Sequence, residues 1–188
     1  MTTMAHPLLR AEPLRAWRFE DLLDSPDDGY RYEIFDGSLL VTPPPPMPHA
    51  NLVYRLRRAL ERQAPETLAV CEAIGVLRED GTSYFVPDLV LFDATLLGTT
   101  LPALPPSAAQ LIVEVVSPSN PSNDLVLKRH GYALVGVAEY WIVDVRTQEV
   151  LVLTDPSPTG YLTEEKHTGS LRNDRPFSYE IDLAAIFA

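Results

Sequence analysis

Cysteine and long apolar runs are what this sequence has least of. Its 188 residues include one cysteine, Cys71. A lone cysteine excludes an internal disulfide and any zinc cluster built on cysteines, so we predict that Cys71 is a small buried hydrophobe. No run of about 18 apolar residues is present, and the first ten residues lack the basic head and apolar core of a secretory signal. We therefore expect no membrane span and a cytoplasmic location.

Positive charge is also scarce. Fifteen Lys and Arg residues stand against 26 Asp and Glu residues, which gives a formal net charge of −11. This balance argues against non-specific binding of nucleic acid, so any such contact needs a local basic patch. The candidates are cationic residues of two predicted helices: Arg55, Arg57, Arg58 and Arg62 on the first, and Lys128 and Arg129 on the second. The arginines spread around the first helix, so a solvated surface explains them as well as a DNA groove does.

The pattern of apolar residues predicts an α/β fold in which helices cover a mixed β-sheet, and the length suits a single domain over residues 1–188. Asp36-Gly37 lies between two β-rich runs and indicates a hairpin. The run 111–116 is apolar on both faces and should be a central strand. The predicted helices are 14–23, 49–63, 124–135 and 182–187. The predicted strands are 30–35, 38–42, 68–77, 84–92, 110–116, 139–144, 150–154 and 161–167.

Two acidic residues lie inside apolar strands. By the two-residue period, Asp88 shares a strand face with Val90 and Phe92, and Glu114 shares one with Ile112. An ionised carboxylate in such surroundings is costly unless it is paired or binds a metal. Two that converge also repel each other, which a divalent cation relieves. Each acid alone is equally explained by a salt bridge or a strand end, and the preceding proline marks an edge or a bulge. Together they indicate a metal site.

Lys128 lies on the predicted helix 124–135, on one stripe with Leu125, Tyr132 and Val135. Because its neighbours on the stripe are apolar, we expect the lysine to point toward the sheet. Two interpretations remain open. Lys128 either extends past the apolar face to reach water, or it reaches the carboxylate pair, where it stabilises a phosphoryl transition state or orients the attacking water.

These residues belong to a longer pattern. Its segments are Tyr32-Glu33-Ile34-Phe35-Asp36-Gly37, the proline run that leads to His49, Pro87-Asp88-Leu89-Val90, the stretch 113–119, Asp124 with Lys128, and Glu139-Tyr140-Trp141-Ile142-Val143-Asp144. The pattern resembles the Uma-type family of putative restriction endonucleases, within the PD-(D/E)XK nuclease superfamily. That superfamily pairs an Asp after proline on one strand with an acid-x-Lys motif on the next. This chain departs from it at Val116, in the lysine slot, and at Val86, where relatives often have arginine. Some branches carry the lysine on the following helix, where Lys128 lies.

The resemblance implies a restriction-endonuclease-like core at about 47–154, preceded by a helix and hairpin at 14–42 and followed by C-terminal strands in an extension at 155–188. It also implies a divalent cation, Mg²⁺ or Mn²⁺, held by Asp88, Glu114 and the carbonyl of Val115. Lys128 would then assist at the phosphate or at the attacking water. The implied activity is metal-dependent hydrolysis of phosphodiester bonds.

Further residues are expected near this site. The resemblance places Glu33 there as an additional ligand, directly or through water. It also places His49 there as a partner of a ligand or of the phosphate, although a satisfied core histidine is equally open. Glu72 lies in an apolar strand and is a further acidic candidate. Asp124 is at the start of a helix, where capping explains it.

We therefore predict an endonuclease that acts on DNA and forms a homodimer. Two alternatives stay open. The departures at Val86 and Val116, with the acidic composition, allow a degenerate member that binds a partner without cutting, with Leu127 and Leu134 as dimer contacts. A hydrolase of a small phosphorylated molecule would need no basic groove.

Overall fold

The part of the chain that a computed structural model describes, residues 15–116 and 123–188, folds into sheets of six, four and two strands with short helices around them. The strands are β1 (Arg31–Phe35), β2 (Ser38–Thr42), β3 (Leu68–Glu72), β4 (Val76–Leu77), β5 (Tyr84–Phe85), β6 (Leu89–Asp93), β7 (Leu111–Val115), β8 (Glu139–Asp144), β9 (Glu149–Ser157), β10 (Gly160–His167), β11 (Ser170–Asn173) and β12 (Tyr179–Asp182). The helices are α1 (Met47–Glu61), α2 (Arg129–Leu134) and α3 (Leu183–Phe187), and a π-helical turn, Asn123–Lys128, leads into α2.

The six-stranded main sheet has the order β10-β9-β8-β7-β6-β3. β7 and β8 pair in parallel, and all other neighbours in this sheet are antiparallel. A parallel pair needs a crossover connection, and α2 lies in the one between β7 and β8. The prediction of an α/β fold with a mixed sheet is therefore confirmed. So is the central position of the run 111–116, because every residue of β7 is buried.

The main sheet separates two apolar clusters because successive strand residues point to opposite faces. In β7, Val113 and Val115 belong to the cluster beneath α1, α3 and the β11-β12 pair. Ile112 belongs to the cluster on the other face, which also contains Tyr132 of α2 and Phe85 of the small sheet. Both faces of the central strands are thus covered, as their unbroken apolar sequence predicts.

The four-stranded small sheet, β2-β1-β5-β4, begins with the predicted hairpin. Asp36 and Gly37 both have positive φ, 45° and 78°, which is the type I′ turn that an Asp-Gly pair favours. α2 packs closely on this sheet at Gly131. A Cβ added at Gly131 would lie 3.1 Å from the ring of Phe85 and 3.3 Å from that of Phe35. The small sheet and α2 are therefore held at fixed positions beside the main sheet.

Two predicted strands are each divided between two sheets. The run 68–77 breaks at Ala73, which has a φ of 53°, so β3 joins the main sheet and β4 the small one. The run 84–92 breaks at Pro87, which has no N–H to give to a ladder. β5 joins the small sheet and β6 the main one. The prediction of continuous strands is wrong at both places.

The structure corrects the predictions for the N-terminal helix and Cys71 and confirms the final helix. The predicted helix 14–23 is a single 3₁₀ turn, Phe19–Leu22, since the N–H groups of Trp17 and Phe19 donate to the carbonyls of Gly37 and Gly81. Residues 14 and 117–122 lie outside the described residues, as does the side chain at 124. Cys71 is half-buried rather than buried. The final helix forms as predicted. Among the described residues, no helix has both the length and the apolar character needed to cross a membrane.

Candidate metal centre

Asp88 lies where the chain passes from the small sheet to the main sheet, directly after Pro87 and before β6. Its side chain turns inward and is buried. The Asp88 Oδ2 atom accepts a hydrogen bond of 2.9 Å from the backbone N–H of Val115, at the end of β7. This bond holds the carboxylate of Asp88 beside the end of β7, the strand that carries Glu114.

Glu114 of β7 points to the face of the main sheet that α2 covers. Its Oε1 atom accepts two short hydrogen bonds, one of 2.7 Å from Lys128 Nζ and one of 2.8 Å from the hydroxyl of Tyr132. Lys128 ends the π-helical turn, and Tyr132 follows it on α2. Lys128 and Tyr132 are both buried, so the helical stripe faces the sheet as predicted. Of the two interpretations of Lys128, contact with a carboxylate is the one that the structure shows.

Glu33 of β1 approaches the same place from the small sheet. Its side chain is fully buried, and its Oε1 atom accepts a 2.9 Å hydrogen bond from the N–H of Val86. The same oxygen lies 3.4 Å from Lys128 Nζ. The Oε2 atom of Glu33 is buried and has no hydrogen-bond partner in the described part of the chain. Glu33, Asp88 and Glu114 together are called the acid centre below.

Two basic side chains contact Asp88. Arg31 of β1 donates from Nη1 to Asp88 Oδ1 over 3.1 Å. His49, in the first turn of α1, has its Nε2 atom 3.0 Å from Asp88 Oδ2, and this buried nitrogen has no hydrogen-bond partner in the described part of the chain. His49 therefore borders the acid centre, as the sequence pattern implies, and is not a core residue satisfied elsewhere.

The charges around the acid centre act on one another strongly. Burial by itself would raise the pKa of Asp88, but the contact with His49 and the charges of Arg31, His49 and Lys128 outweigh it and hold this pKa well below its usual range. Burial opposes the charge of Arg31, yet the carboxylates of Asp88, Glu114 and Glu33 raise the pKa of its guanidinium. Arg31 therefore lies within electrostatic reach of all three acids.

The fit of a divalent cation to the acid centre depends on the arrangement and the chemistry of its side chains. Among the described residues, no group of three or more His, Cys, Asp or Glu side chains is arranged to hold a metal ion as it stands. The donor chemistry nevertheless suits Mg²⁺ or Mn²⁺. Glu33 and Glu114 both contact Lys128, and Asp88 accepts from the N–H of Val115, next to Glu114. In the described part of the chain, the buried Oε2 atom of Glu33 has no hydrogen-bond partner. The carboxylates of Asp88 and Glu114 are bonded to Arg31 and Lys128. A role for the carbonyl of Val115 stays a prediction.

Other candidate residues lie away from the acid centre. Glu72 is exposed and lies 3.2 Å from Arg57, so it is not an acidic neighbour of the site. Arg55 donates to backbone carbonyls of the C-terminal residues 185, 186 and 188. Arg58 contacts the hydroxyl and the ring of Tyr54 on its own helix, and Arg62 is exposed. Arg129 forms an ion pair of 2.8 Å with Glu164.

Two contributors were missed by reasoning from the sequence. Arg31 was not singled out, although it is two residues from Glu33 and so lies on the same face of the strand. Tyr132 was assigned to the core for its apolar ring. Burial and the charges of Glu114 and Glu33 raise the pKa of its hydroxyl well above the usual value, so the group stays protonated and donates to Glu114.

Comparisons with known proteins show the family and the fold of this chain. The family model described as Uma2, putative restriction endonuclease, matches residues 19–184. One solved structure of similar fold is titled as a putative nuclease belonging to DUF820 from Anabaena variabilis. It is 15% identical in sequence, with a TM-score of 0.68 over 91% of this chain and 97% of that one. At this identity the likeness shows the fold alone. No curated protein matches the chain.

Proposed function

Because this chain belongs to the Uma2 family of putative restriction endonucleases, we propose that it is a metal-dependent endonuclease that hydrolyses DNA phosphodiester bonds. The observation that carries the proposal is the convergence of Asp88, Glu114 and Lys128. Asp88 is tied to the end of β7 by the N–H of Val115, and Glu114 of β7 is bonded to Lys128 over 2.7 Å. An Asp after proline, an acid on the next strand and a lysine thus meet in one buried place.

The carboxylates of Asp88, Glu114 and Glu33 would hold Mg²⁺ or Mn²⁺, with the carbonyl of Val115 as a further ligand. When bound, such an ion polarises a phosphate oxygen and lowers the pKa of a coordinated water. Lys128 would supply a fixed positive charge where negative charge develops on the phosphate. The ammonium of Lys128 is already oriented by Glu114 and Glu33, so little reorganisation is needed. His49, at the start of α1, would hydrogen-bond a ligand or a phosphate oxygen.

The test is cleavage of supercoiled plasmid by the purified protein in Mg²⁺ or Mn²⁺. Asp88→Asn and Glu114→Gln keep the size of each side chain and remove a ligand charge, so each should lower the cleavage rate by at least about 100-fold. Glu72→Gln is the matched control, since Glu72 is an exposed acid on β3, next to β6 in the main sheet. Full activity of both site variants would exclude the acid centre as the source of cleavage.

For DNA contact, the candidates are the exposed arginines at the C-terminal end of α1. Arg58 on this helix and Arg62 directly after it are exposed, and the first turn of the helix carries His49 beside the acid centre. Arg55 and Arg129 are engaged with groups of the chain itself. Arg58→Gln and Arg62→Gln should each weaken DNA binding and reduce the slope of log affinity against log salt by about 1. Arg55→Gln should leave this slope unchanged.

The acidic composition favours a second candidate, a hydrolase of a small phosphorylated molecule. A net charge of −11 gives no general attraction for DNA, whereas a small phosphate needs only a local site. Metal-dependent hydrolysis of a chromogenic phosphodiester without measurable DNA affinity would support this candidate. Binding of DNA with no hydrolysis of either substrate would instead indicate a non-cleaving binding protein.

We also propose that the protein acts as a homodimer. Leu127 and Leu134, beside and within α2, are exposed by 39% and 42%. A second copy of the chain would cover them. Sedimentation equilibrium should show a dimer for the wild type and a monomer for Leu134→Glu, while the exposed change Leu162→Glu on β10 should leave the dimer intact.

A further inference from the structure

Arg31 is the cation of the acid centre that reaches solvent. Its side chain is 23% exposed, whereas that of Lys128 is 5% exposed. Its guanidinium contacts Asp88 at 3.1 Å and also lies within the field of Glu114 and Glu33. Lys128 contacts two acids in the interior, Glu114 at 2.7 Å and Glu33 at 3.4 Å, while Arg31 is the more exposed of the two cations.

Arg31 also occupies a carboxylate oxygen that a metal ion would use. Its hydrogen bond is to Oδ1 of Asp88, and the other oxygen, Oδ2, is taken by the N–H of Val115 and by the approach of His49. A guanidinium and a divalent cation on the same carboxylate would repel each other. A cation that binds Asp88 through Oδ1 must therefore displace the guanidinium. Because Arg31 is partly exposed, its side chain can move toward solvent.

Within the nuclease proposed above, on which this inference rests, we propose that Arg31 exchanges partners. In the metal-free protein it neutralises Asp88. When a divalent cation binds, Arg31 leaves Asp88 and its guanidinium binds the non-bridging oxygens of the substrate phosphate at the mouth of the site. Arginine suits both states, because its planar fork matches a carboxylate and a phosphate alike and its charge is permanent.

The exchange gives Arg31 opposite effects on two ligands. Arg31 competes with the cation for Asp88, so its removal should tighten metal binding. It contacts the phosphate, so its removal should weaken DNA binding. A residue that only supported the fold of the site would weaken both together.

The experiment measures the two affinities separately in Arg31→Gln. Calorimetry with Mn²⁺ alone should show binding tighter by on the order of tenfold, because a like charge next to the metal ligand is lost. Binding of a short DNA duplex in Ca²⁺, measured by fluorescence anisotropy, should weaken by about tenfold or more, the usual cost of a lost hydrogen bond to a charged group. Arg172→Gln is the control, because Arg172 pairs with Glu180 on the exposed β11-β12 edge. It should change neither affinity.

Arg31→Lys keeps the charge and tests the geometry, and it is also the variant to rely on should Arg31→Gln fail to fold. It should bind Mn²⁺ as the wild type does and bind DNA less tightly, since a lysine cannot make the two-pronged contact. Unchanged or weaker Mn²⁺ binding in Arg31→Gln, or unchanged DNA affinity in both variants, overturns the exchange, and so does a wild type that binds no Mn²⁺. A wild type that binds Mn²⁺ and DNA but does not cut contradicts the proposed nuclease alone.

Discussion

The main sheet carries buried carboxylates at two places, and the two differ in what surrounds them. The acid centre lies at the end of β7, on the side of Tyr132 and α2. Glu139 lies at the start of β8, the parallel neighbour of β7, and faces the opposite cluster with Trp141 and Tyr179. The two sites therefore occupy opposite ends and opposite faces of one pair of strands.

The partners of Glu139 are mainly neutral. Its Oε1 atom accepts hydrogen bonds of 2.7 Å from Trp141 Nε1 and 3.2 Å from the hydroxyl of Tyr179, and the amide of Asn173 lies at 3.5 Å. Burial raises the pKa of Glu139, and these hydrogen bonds together with the charge of Arg175 only partly oppose it. In the acid centre the opposite holds for Asp88, because the cationic side chains around it outweigh the effect of burial.

The difference agrees with a structural role for Glu139 and with the metal-binding role proposed for the acid centre. Neutral donors from β11 and β12, Asn173 and Tyr179, tie Glu139 of β8 to the β11-β12 pair. In the acid centre, by contrast, positive charge is supplied by side chains, and Arg31 and Lys128 take the place that a divalent cation takes in the proposed enzyme. Strong burial of a carboxylate is thus not by itself a sign of a metal site. The charge of its partners is the better criterion.

The largest expected effect comes from removal of the interior cation. Lys128→Met leaves Glu114 and Glu33 buried without their shared ammonium. Breaking a buried ion pair from one side costs about 3–5 kcal/mol, so the free energy of unfolding in urea should fall by this amount. The double variant Lys128→Met/Glu114→Gln should recover part of the loss, because it removes a buried charge.

Lys166→Met is the matched control for this change, since Lys166 pairs with Glu149 on the exposed side of β9 and β10. Its stability should equal that of the wild type within error. A similar loss of unfolding free energy in both lysine variants would show that Lys128 stabilises the acid centre no more than a surface ion pair does. The contrast with Glu139 would then be wrong.

From the sequence, the residues that form the acid centre could be predicted better than the contacts between them. Pro87-Asp88, Glu114 and the helical stripe of Lys128 are local patterns, and each of these residues lies in the centre as expected. Arg31 could not be predicted to meet Asp88, because that contact spans 57 positions and depends on the small sheet folding back onto the main one. Dependence on distant contacts also explains why two predicted strands are each divided between two sheets. Apolar periodicity continues through Ala73 and Pro87, while the sheet to which each half belongs is decided by distant pairing.

A smaller effect distinguishes the two tyrosines that donate to the buried acids. Tyr132→Phe removes a 2.8 Å hydrogen bond to Glu114, and Tyr179→Phe removes one of 3.2 Å to Glu139. Each should lower the free energy of unfolding by about 1 kcal/mol. Only Tyr132→Phe should weaken Mn²⁺ binding, by on the order of tenfold, because its hydroxyl orients a proposed ligand. Calorimetry that shows equal Mn²⁺ affinities for the two variants would remove the distinction between the sites.

The smallest effect is a change in how stability depends on pH. Burial raises the pKa of Glu139 above its ordinary value of 4.5, so the native state holds this proton more tightly than the unfolded chain does. The stability that Glu139 contributes is therefore complete below pH 4.5 and is lost as the pH rises through the native pKa. Glu139→Gln cannot lose a proton, so urea unfolding from pH 4 to pH 8 should show the wild type losing stability relative to this variant. Stability of the wild type that rises relative to Glu139→Gln over the same range would mean that the neutral donors stabilise the ionised carboxylate, and the two sites would then differ less than their partners indicate.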